Sequence, residues 1–250
     1  MYQPINNNTD YVYAGSQDQG FQRSTEGNTD STFNFDQIIS GDYGHIISGD
    51  GGESIWMVYP GFADYYPNAE SGETGDSWYF PEEGTELWLP PLMADPNFPN
   101  TAYLAGGNID DFGSHIIRLD YDNSISSNQL SYNFEYGSGG GYITAMACSK
   151  INTNYWYVLT NNGKFFTSTD YGVNWTKTPG FSGPGNHYFY GASIQPSAIE
   201  LGKVYIAGSG YSNPGVYMTE DNGDSFTALE QGLPQTMIYD IAPTLGDEYI

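Results

Sequence analysis

Asn152-Thr153-Asn154-Tyr155-Trp156-Tyr157-Val158-Leu159-Thr160 is followed shortly by Ser168-Thr169-Asp170-Tyr171-Gly172-Val173-Asn174-Trp175. The first segment is a polar turn that runs into an aromatic and β-branched stretch, the pattern of a strand entered from a turn. The second has the form Ser-x-Asp-x-Gly-x-x-aromatic, which predicts a tight hairpin. Its Asp accepts backbone N–H bonds across the turn, its Gly takes a backbone angle that other residues resist, and its aromatic ring folds underneath and is expected to be mostly buried.

Both segments recur. Tyr11-Val12-Tyr13-Ala14-Gly15, Thr101-Ala102-Tyr103-Leu104-Ala105-Gly106 and Val204-Tyr205-Ile206-Ala207-Gly208 repeat the strand, and Ile55-Trp56-Met57-Val58-Tyr59 is a weaker copy. The phase is marked by Tyr13, Tyr59, Tyr103, Tyr157 and Tyr205, and a sixth repeat begins near Tyr249; successive markers are 44 to 54 residues apart. Such a period with short strands predicts an all-β fold, a β-propeller of about five four-stranded blades spanning residues 1–250 as one domain. Helix-pair solenoids share the period, but not the runs of aromatic and β-branched residues bounded by Gly, Asn and Pro. Leu245-Gly246-Asp247-Glu248-Tyr249-Ile250 stops where a new blade should begin, so the expectation is a fragment of a larger ring, the other blades lying on a longer parent chain.

The hairpin phrase has two further copies. Thr219-Glu220-Asp221-Asn222-Gly223-Asp224-Ser225-Phe226 is complete, and Ser71-Gly72-Glu73-Thr74-Gly75-Asp76-Ser77-Trp78 has Glu73 in place of Asp and predicts a looser turn. In the first repeat, Ser24-Thr25-Glu26-Gly27 is a broken copy; in the third, Arg118-Leu119-Asp120-Tyr121-Asp122-Asn123 takes its place. The three copies resemble Asp-box (BNR) repeats, and the chain is similar to secreted Asp-box β-propellers: sialidases, xyloglucanase-type glycoside hydrolases, sortilin/VPS10 propellers and photosystem-assembly-factor-like propellers. Gly232-Leu233-Pro234, Tyr13-Ala14-Gly15-Ser16-Gln17-Asp18-Gln19-Gly20 and Ser48-Gly49-Asp50-Gly51-Gly52 fit the same resemblance. It implies a secreted or cell-surface protein of the kind found in Bacteroidetes-type bacteria, and it implies a fold more than an activity, because propellers host many functions.

Composition excludes several partners. The 250 residues carry 6 Lys+Arg against 30 Asp+Glu, a net charge of -24, which opposes binding to nucleic acid or to an anionic membrane. No apolar run approaches the roughly 18 residues of a membrane span, and no signal peptide is visible. Cys148 is the only cysteine, so neither an internal disulfide nor a Cys-based zinc site can form. His45, His115 and His187 show no metal-ligand spacing.

What remains is chemistry by carboxylates or binding by aromatic rings. A sialidase holds its substrate with three arginines, and this chain has only Arg23 and Arg118. Glycoside hydrolysis needs a pair of carboxylates. Asp18 lies in a segment similar to the xyloglucanase Thr-Asp-x-Gly-Gly phrase, displaced by one position, and Asp50 is flanked by glycines; a turn-forming role is open for each. Asp42, Asp50 and Glu53 also offer oxygens to a hard cation, calcium, although the spacing is not that of an EF-hand. No cofactor is otherwise required. Tyr65, Tyr66, Tyr188 and Tyr190 lie in aromatic segments suited to sugars, as does Trp78-Tyr79-Phe80 with Trp88. The expectation is a non-enzymatic binding or adhesion propeller that presents loops to a glycan or protein. The alternative is a glycoside hydrolase acting on a polysaccharide.

Overall fold

The computed structural model describes residues 11–25, 34–81, 87–110, 113–134, 141–183, 193–208, 214–233, 236–244 and 246–247. These form five antiparallel sheets, numbered here in chain order. Sheet 1 has three strands: β1 (Tyr13–Ser16), β2 (Gly20–Ser24) and β3 (Phe35–Ile39). Sheet 2 has β4 (Ile46–Ile47), β5 (Ile55–Tyr59), β6 (Phe62–Tyr66) and β7 (Asp76–Tyr79). Sheet 3 has β8 (Leu92–Ala94), β9 (Thr101–Gly107), β10 (His115–Tyr121) and β11 (Ile125–Gln129). Sheet 4 has β12 (Ile143–Cys148), β13 (Trp156–Thr160), β14 (Phe165–Ser168) and β15 (Thr176–Lys177), and sheet 5 has β16 (Ser193–Pro196), β17 (Val204–Ala207), β18 (Val216–Thr219) and β19 (Thr227–Ala228). Each is a meander in which strands adjacent in sequence are adjacent in space.

The tyrosine period marks one strand of each sheet. Tyr103, Tyr157 and Tyr205 lie on the second strand of sheets 3, 4 and 5, and Tyr13 on the first described strand of sheet 1, all buried. In sheet 2 the marker falls late: Tyr59 is half-buried at the end of β5, whereas Ile55, Trp56, Met57 and Val58 before it are fully buried. Tyr249 lies outside the described residues.

The first hairpin of sheets 3, 4 and 5 repeats one device. Asp95, Ser149 and Ser197 each follow the first strand and accept two backbone N–H bonds with their side chains: from Asn97 and Phe98, from Ile151 and Asn152, and from Ile199 and Glu200. In each case the backbone N–H of the same residue reaches the carbonyl six positions on: Thr101, Tyr155 and Lys203. The polar segment before each marker tyrosine is this turn, in which a short side chain substitutes for ladder bonds that the chain reversal removes.

Alternation along the strands buries both faces. On sheet 2, Ile55, Met57 and Tyr66 join Tyr13, Phe21 and Tyr43 in one cluster, while Trp56, Val58, Ala63 and Tyr65 join Leu92, Ala102, Leu104, Ile117 and Leu119 in another. Between sheets 4 and 5, Tyr157, Leu159 and Phe165 meet Ile194, Val204 and Ile206. This explains why the second strands read as unbroken apolar runs. The chain divides into two compact units. Residues 1–84, 88–104 and 117–129 form one, and residues 85–87, 105–116 and 130–250 form the other.

Candidate functional site

The carboxylates of the repeated hairpins serve their own turns. Ser168 Oγ donates to Asp170 (2.8 Å) and accepts the N–H of Asp170 and of Gly172, while Asp170 accepts the Asn174 N–H at 2.8 Å and the Asn174 side-chain amide. Thr219, Asp221, Gly223 and Ser225 make the same set. The residue before each glycine and the glycine itself are left-handed: Tyr171 and Gly172 at φ 64 and 78, Asn222 and Gly223 at φ 62 and 93. Glycine is also needed for space, since a Cβ at Gly172 would lie 2.7 Å from the Trp156 ring and one at Gly223 2.6 Å from Phe165. Bonds from the Asn174 backbone and side chain hold the Asp170 carboxyl below its ordinary range. Those from the Ser225 hydroxyl and N–H, then from Thr219, pull Asp221 down to about 2.

The turn after β18 also ties sheet 5 to sheet 4. Tyr157 Oη donates to the Asn222 side chain at 3.0 Å, Thr167 Oγ1 to the Asn222 carbonyl at 2.9 Å, and Thr178 Oγ1 to the Gly223 carbonyl. Trp175 and Phe226 are half-buried rather than sealed beneath the turns. Trp175 donates its indole N–H to the Gly172 carbonyl and packs on Phe134, and Phe226 stacks on Phe181.

Sheet 2 departs from expectation. The Ser71 turn is built differently: Ser71 Oγ donates to the Asn68 carbonyl and accepts the Glu73 N–H, and Gly75 N donates to the Tyr65 carbonyl. Gly75 is not among the left-handed residues, and Trp78 is a half-buried residue of β7 beside Phe80. The bond set of the Ser168 turn occurs instead between β4 and β5. Ser48 Oγ donates to Asp50 and accepts the Gly52 N–H, Asp50 accepts the Ser54 N–H and hydroxyl, and Gly51 and Gly52 have φ 76 and 96. Its spacing, Ser-x-Asp-x-Gly-x-Ser, is present in the sequence, but Ile55 stands where an aromatic residue was required. Any buried apolar side chain satisfies that position, and Ile55 is fully buried.

The expected cation ligands do not converge. Both oxygens of Asp50 are occupied by Ser48 and Ser54, Asp42 accepts the Asp18 N–H at 2.8 Å, and Glu53 is exposed. Among the described residues no group of three or more His, Cys, Asp or Glu is placed to hold a metal ion. Asp18 is exposed and left-handed (φ 63) in the β1–β2 turn. Tyr65 and Tyr66 are not presented to solvent: they are 5% and 1% exposed within the two clusters of sheet 2. Tyr188 and Tyr190 lie outside the described residues. Arg118 is paired with Asp120, and Arg23 lies over the Tyr11 ring.

Two surface features remain. One is an open cleft of about 220 Å³ between the turns of sheets 4 and 5, bordered by Thr167, Thr176, Lys177, Thr178, Asn222 and Asp224. Its lining mixes polar and apolar surface, and three of these groups, Thr167, Thr178 and Asn222, already bond across it. The other gathers on one end of sheets 1 and 2, where the Asp18 turn, the Gly41–Tyr43 connection and the Tyr59–Phe62 hairpin meet. Beneath it, Asp64 is a buried carboxylate bonded by Tyr43 Oη (3.0 Å) and Ser77 Oγ (2.6 Å); burial raises its pKa, and burial, then the Asp64 charge, raises that of Tyr43. In sequence Asp64 stands only as the polar neighbour of Tyr65 and Tyr66, and nothing in the spacing marks its burial.

No protein-family model matches this chain, and no curated protein matches it in sequence. Among solved structures it is similar to the β-propeller domain of Cps50 (Swd1) from Myceliophteria thermophila, with TM-score 0.57 and 10% identity over 87% of this chain and 63% of that one. It is similar to the GH74 xyloglucanase from Xanthomonas campestris, with TM-score 0.50 and 16% identity over 78% of this chain and 32% of that one. It is also similar to the GH74 enzyme of Niastella koreensis, with TM-score 0.49 and 19% identity over 74% and 29%. The chain thus spans about a third or less of the two GH74 enzymes and under two thirds of the propeller domain. At these identities the likeness is one of fold: antiparallel sheets of the propeller type.

The two sheet 2 turns should respond differently to mutation. Asp50→Ala strands the Ser54 N–H and two hydroxyls and should cost about 1 kcal/mol or more, whereas Glu73→Ala should stay within about 0.5 kcal/mol; urea unfolding of the two variants measures the difference. Asp221 should shape the acid limb. Its folded pKa lies below its ordinary value of 3.8, so its stabilisation is complete above that value and is lost as the pH falls towards about 2. Asp221→Asn should therefore be less stable than the parent at neutral pH and converge with it near pH 2, as followed by thermal melts across that window.

Proposed function

We propose that this chain is part of a larger propeller that acts on a polysaccharide outside the cell as a glycoside hydrolase, its repeated turns being Asp-box hairpins that hold the blades. The observation that supports this most is the likeness to a xyloglucanase over 78% of the chain. The net charge of -24 fits a neutral polysaccharide better than an acidic one. Asp50, Asp170 and Asp221 are committed to their turns and Asp64 is buried, whereas Asp18 is exposed and Asp42 half-buried where the Asp42 carboxylate accepts the Asp18 N–H. Blades beyond this chain would complete a cleft around them.

Binding without hydrolysis is the second reading, and a specific observation favours it. Asp18 occupies a strained left-handed turn position with its own N–H tied to Asp42, an arrangement that also serves a hairpin alone. Incubation of the full-length protein with xyloglucan and mixed-linkage β-glucan, followed by assay of new reducing ends, tests the proposal. Release of reducing ends that is lost in Asp18→Asn is the expected result. Retention of the polysaccharide with no new reducing ends would replace hydrolysis by adhesion, and neither release nor retention would overturn both readings.

A further inference from the structure

Three aromatic rings stand in a row across adjacent strands of sheet 2. Tyr59 ends β5, Phe62 begins β6 and Tyr79 ends β7, and the ladder pairs Tyr59 with Phe62 and Phe62 with Tyr79. Ring centroids are 4.6 Å apart for Tyr59 and Phe62 and 5.5 Å apart for Phe62 and Tyr79. The row grows more open outward: Tyr59 and Phe62 are half-buried, and Tyr79 is 71% exposed. An exposed ring of this size on an edge strand gains nothing for the core, where it leaves most of its apolar area in water.

The row is held rigidly from below. Tyr43 sets its ring edge-on to Tyr59 at 5.2 Å and to Phe62 at 6.5 Å, and its hydroxyl is anchored on Asp64. Tyr59 lies against the backbone at Gly41, where a Cβ would come 2.7 Å from its Cε2. Next to Gly41 is Asp42, whose carboxylate accepts the Asp18 N–H and so brings the exposed β1–β2 turn to the inner end of the row. Tyr59 and Phe62 stack on each other with 18° between their planes, and Tyr79 is tilted by 47° to Phe62, so the row presents the open ring of Tyr79 and the edges of the two rings behind it. Exposed aromatic surface that adjoins hydrogen-bond acceptors is a combination that suits a sugar ring, with C–H groups against the rings and hydroxyls donating to the acids. A carboxylated or sulfated sugar would meet Asp18 and Asp42 with like charge.

We propose that the Tyr59–Phe62–Tyr79 row, ending at Asp42 and Asp18, is a binding subsite for a neutral oligosaccharide chain laid across the strands of sheet 2. This rests on the polysaccharide reading above and specifies where on this chain the glycan lies. The test is titration of the full-length protein with xyloglucan oligosaccharides and, separately, with cello-oligosaccharides, by calorimetry. Tyr79→Ala and Asp42→Asn are each expected to weaken binding roughly tenfold, about 1.4 kcal/mol. Phe98→Ala, which removes an exposed ring from the β8–β9 turn, should leave it unchanged. Melting curves check that each variant is folded. Binding or hydrolysis that persists at parental strength in both variants would overturn this subsite while leaving the polysaccharide reading intact. Absence of binding to either oligosaccharide series by the parent protein would overturn the subsite as well.

Discussion

No sheet of this chain can bury its own apolar surface. Sheet 2 shows why: Ile55 and Met57 point one way and Trp56 and Val58 the other, and all four are fully buried. Each face must therefore be covered by another sheet, and the consecutive sheets within each compact unit cover one another. Removing water from both faces of short strands supplies the driving force. It also leaves chain reversals every few residues, with backbone groups that lack ladder partners. The polar side chains of the turns, Asp95, Ser149 and Ser197 on the first hairpins and Asp50, Asp170 and Asp221 on the others, meet that need.

This division of labour decides which acids are available for chemistry. A carboxylate that accepts two or three turn bonds cannot also bind a substrate or cation without losing them. Of the acids that stood out in sequence, Asp50, Asp170 and Asp221 are used in this way, whereas Asp18, Glu53 and Glu73 are exposed and Asp42 is half-buried. The net charge of -24 is therefore a poor guide to a site. The geometry separates structural from accessible carboxylates where counting could not.

Much of the fold was legible because its causes are local. The turn chemistry of Ser168–Trp175 and Thr219–Phe226 follows from short-range spacing, and the tyrosine phase marks a strand that is buried on both faces. The errors have physical reasons. Glu73 resembles an Asp in sequence, but its turn closes through Asn68 and Ser71 instead. Ser48-Gly49-Asp50-Gly51-Gly52 fits the resemblance in sequence but lacks the aromatic residue of the hairpin phrase; Ile55 takes that place, and burial there is indifferent to aromaticity. At the ends of sheets 1 and 2, Asp18, Asp42 and Tyr79 each stand out in the sequence, but their convergence on one surface does not. Asp18, Asp42, Tyr59 and Tyr79 are spread over sixty residues and meet only because three separate chain reversals fall at the same end of the sheets.

Residue-level NMR of the protein during titration with neutral xyloglucan oligosaccharides tests glycan binding at that surface most directly. Saturable shifts concentrated on Asp42, Tyr59, Phe62 and Tyr79, with none at the cleft beside Lys177, are the predicted result. Shifts confined to that cleft, or none at any residue of sheet 2 at saturating sugar, would contradict it.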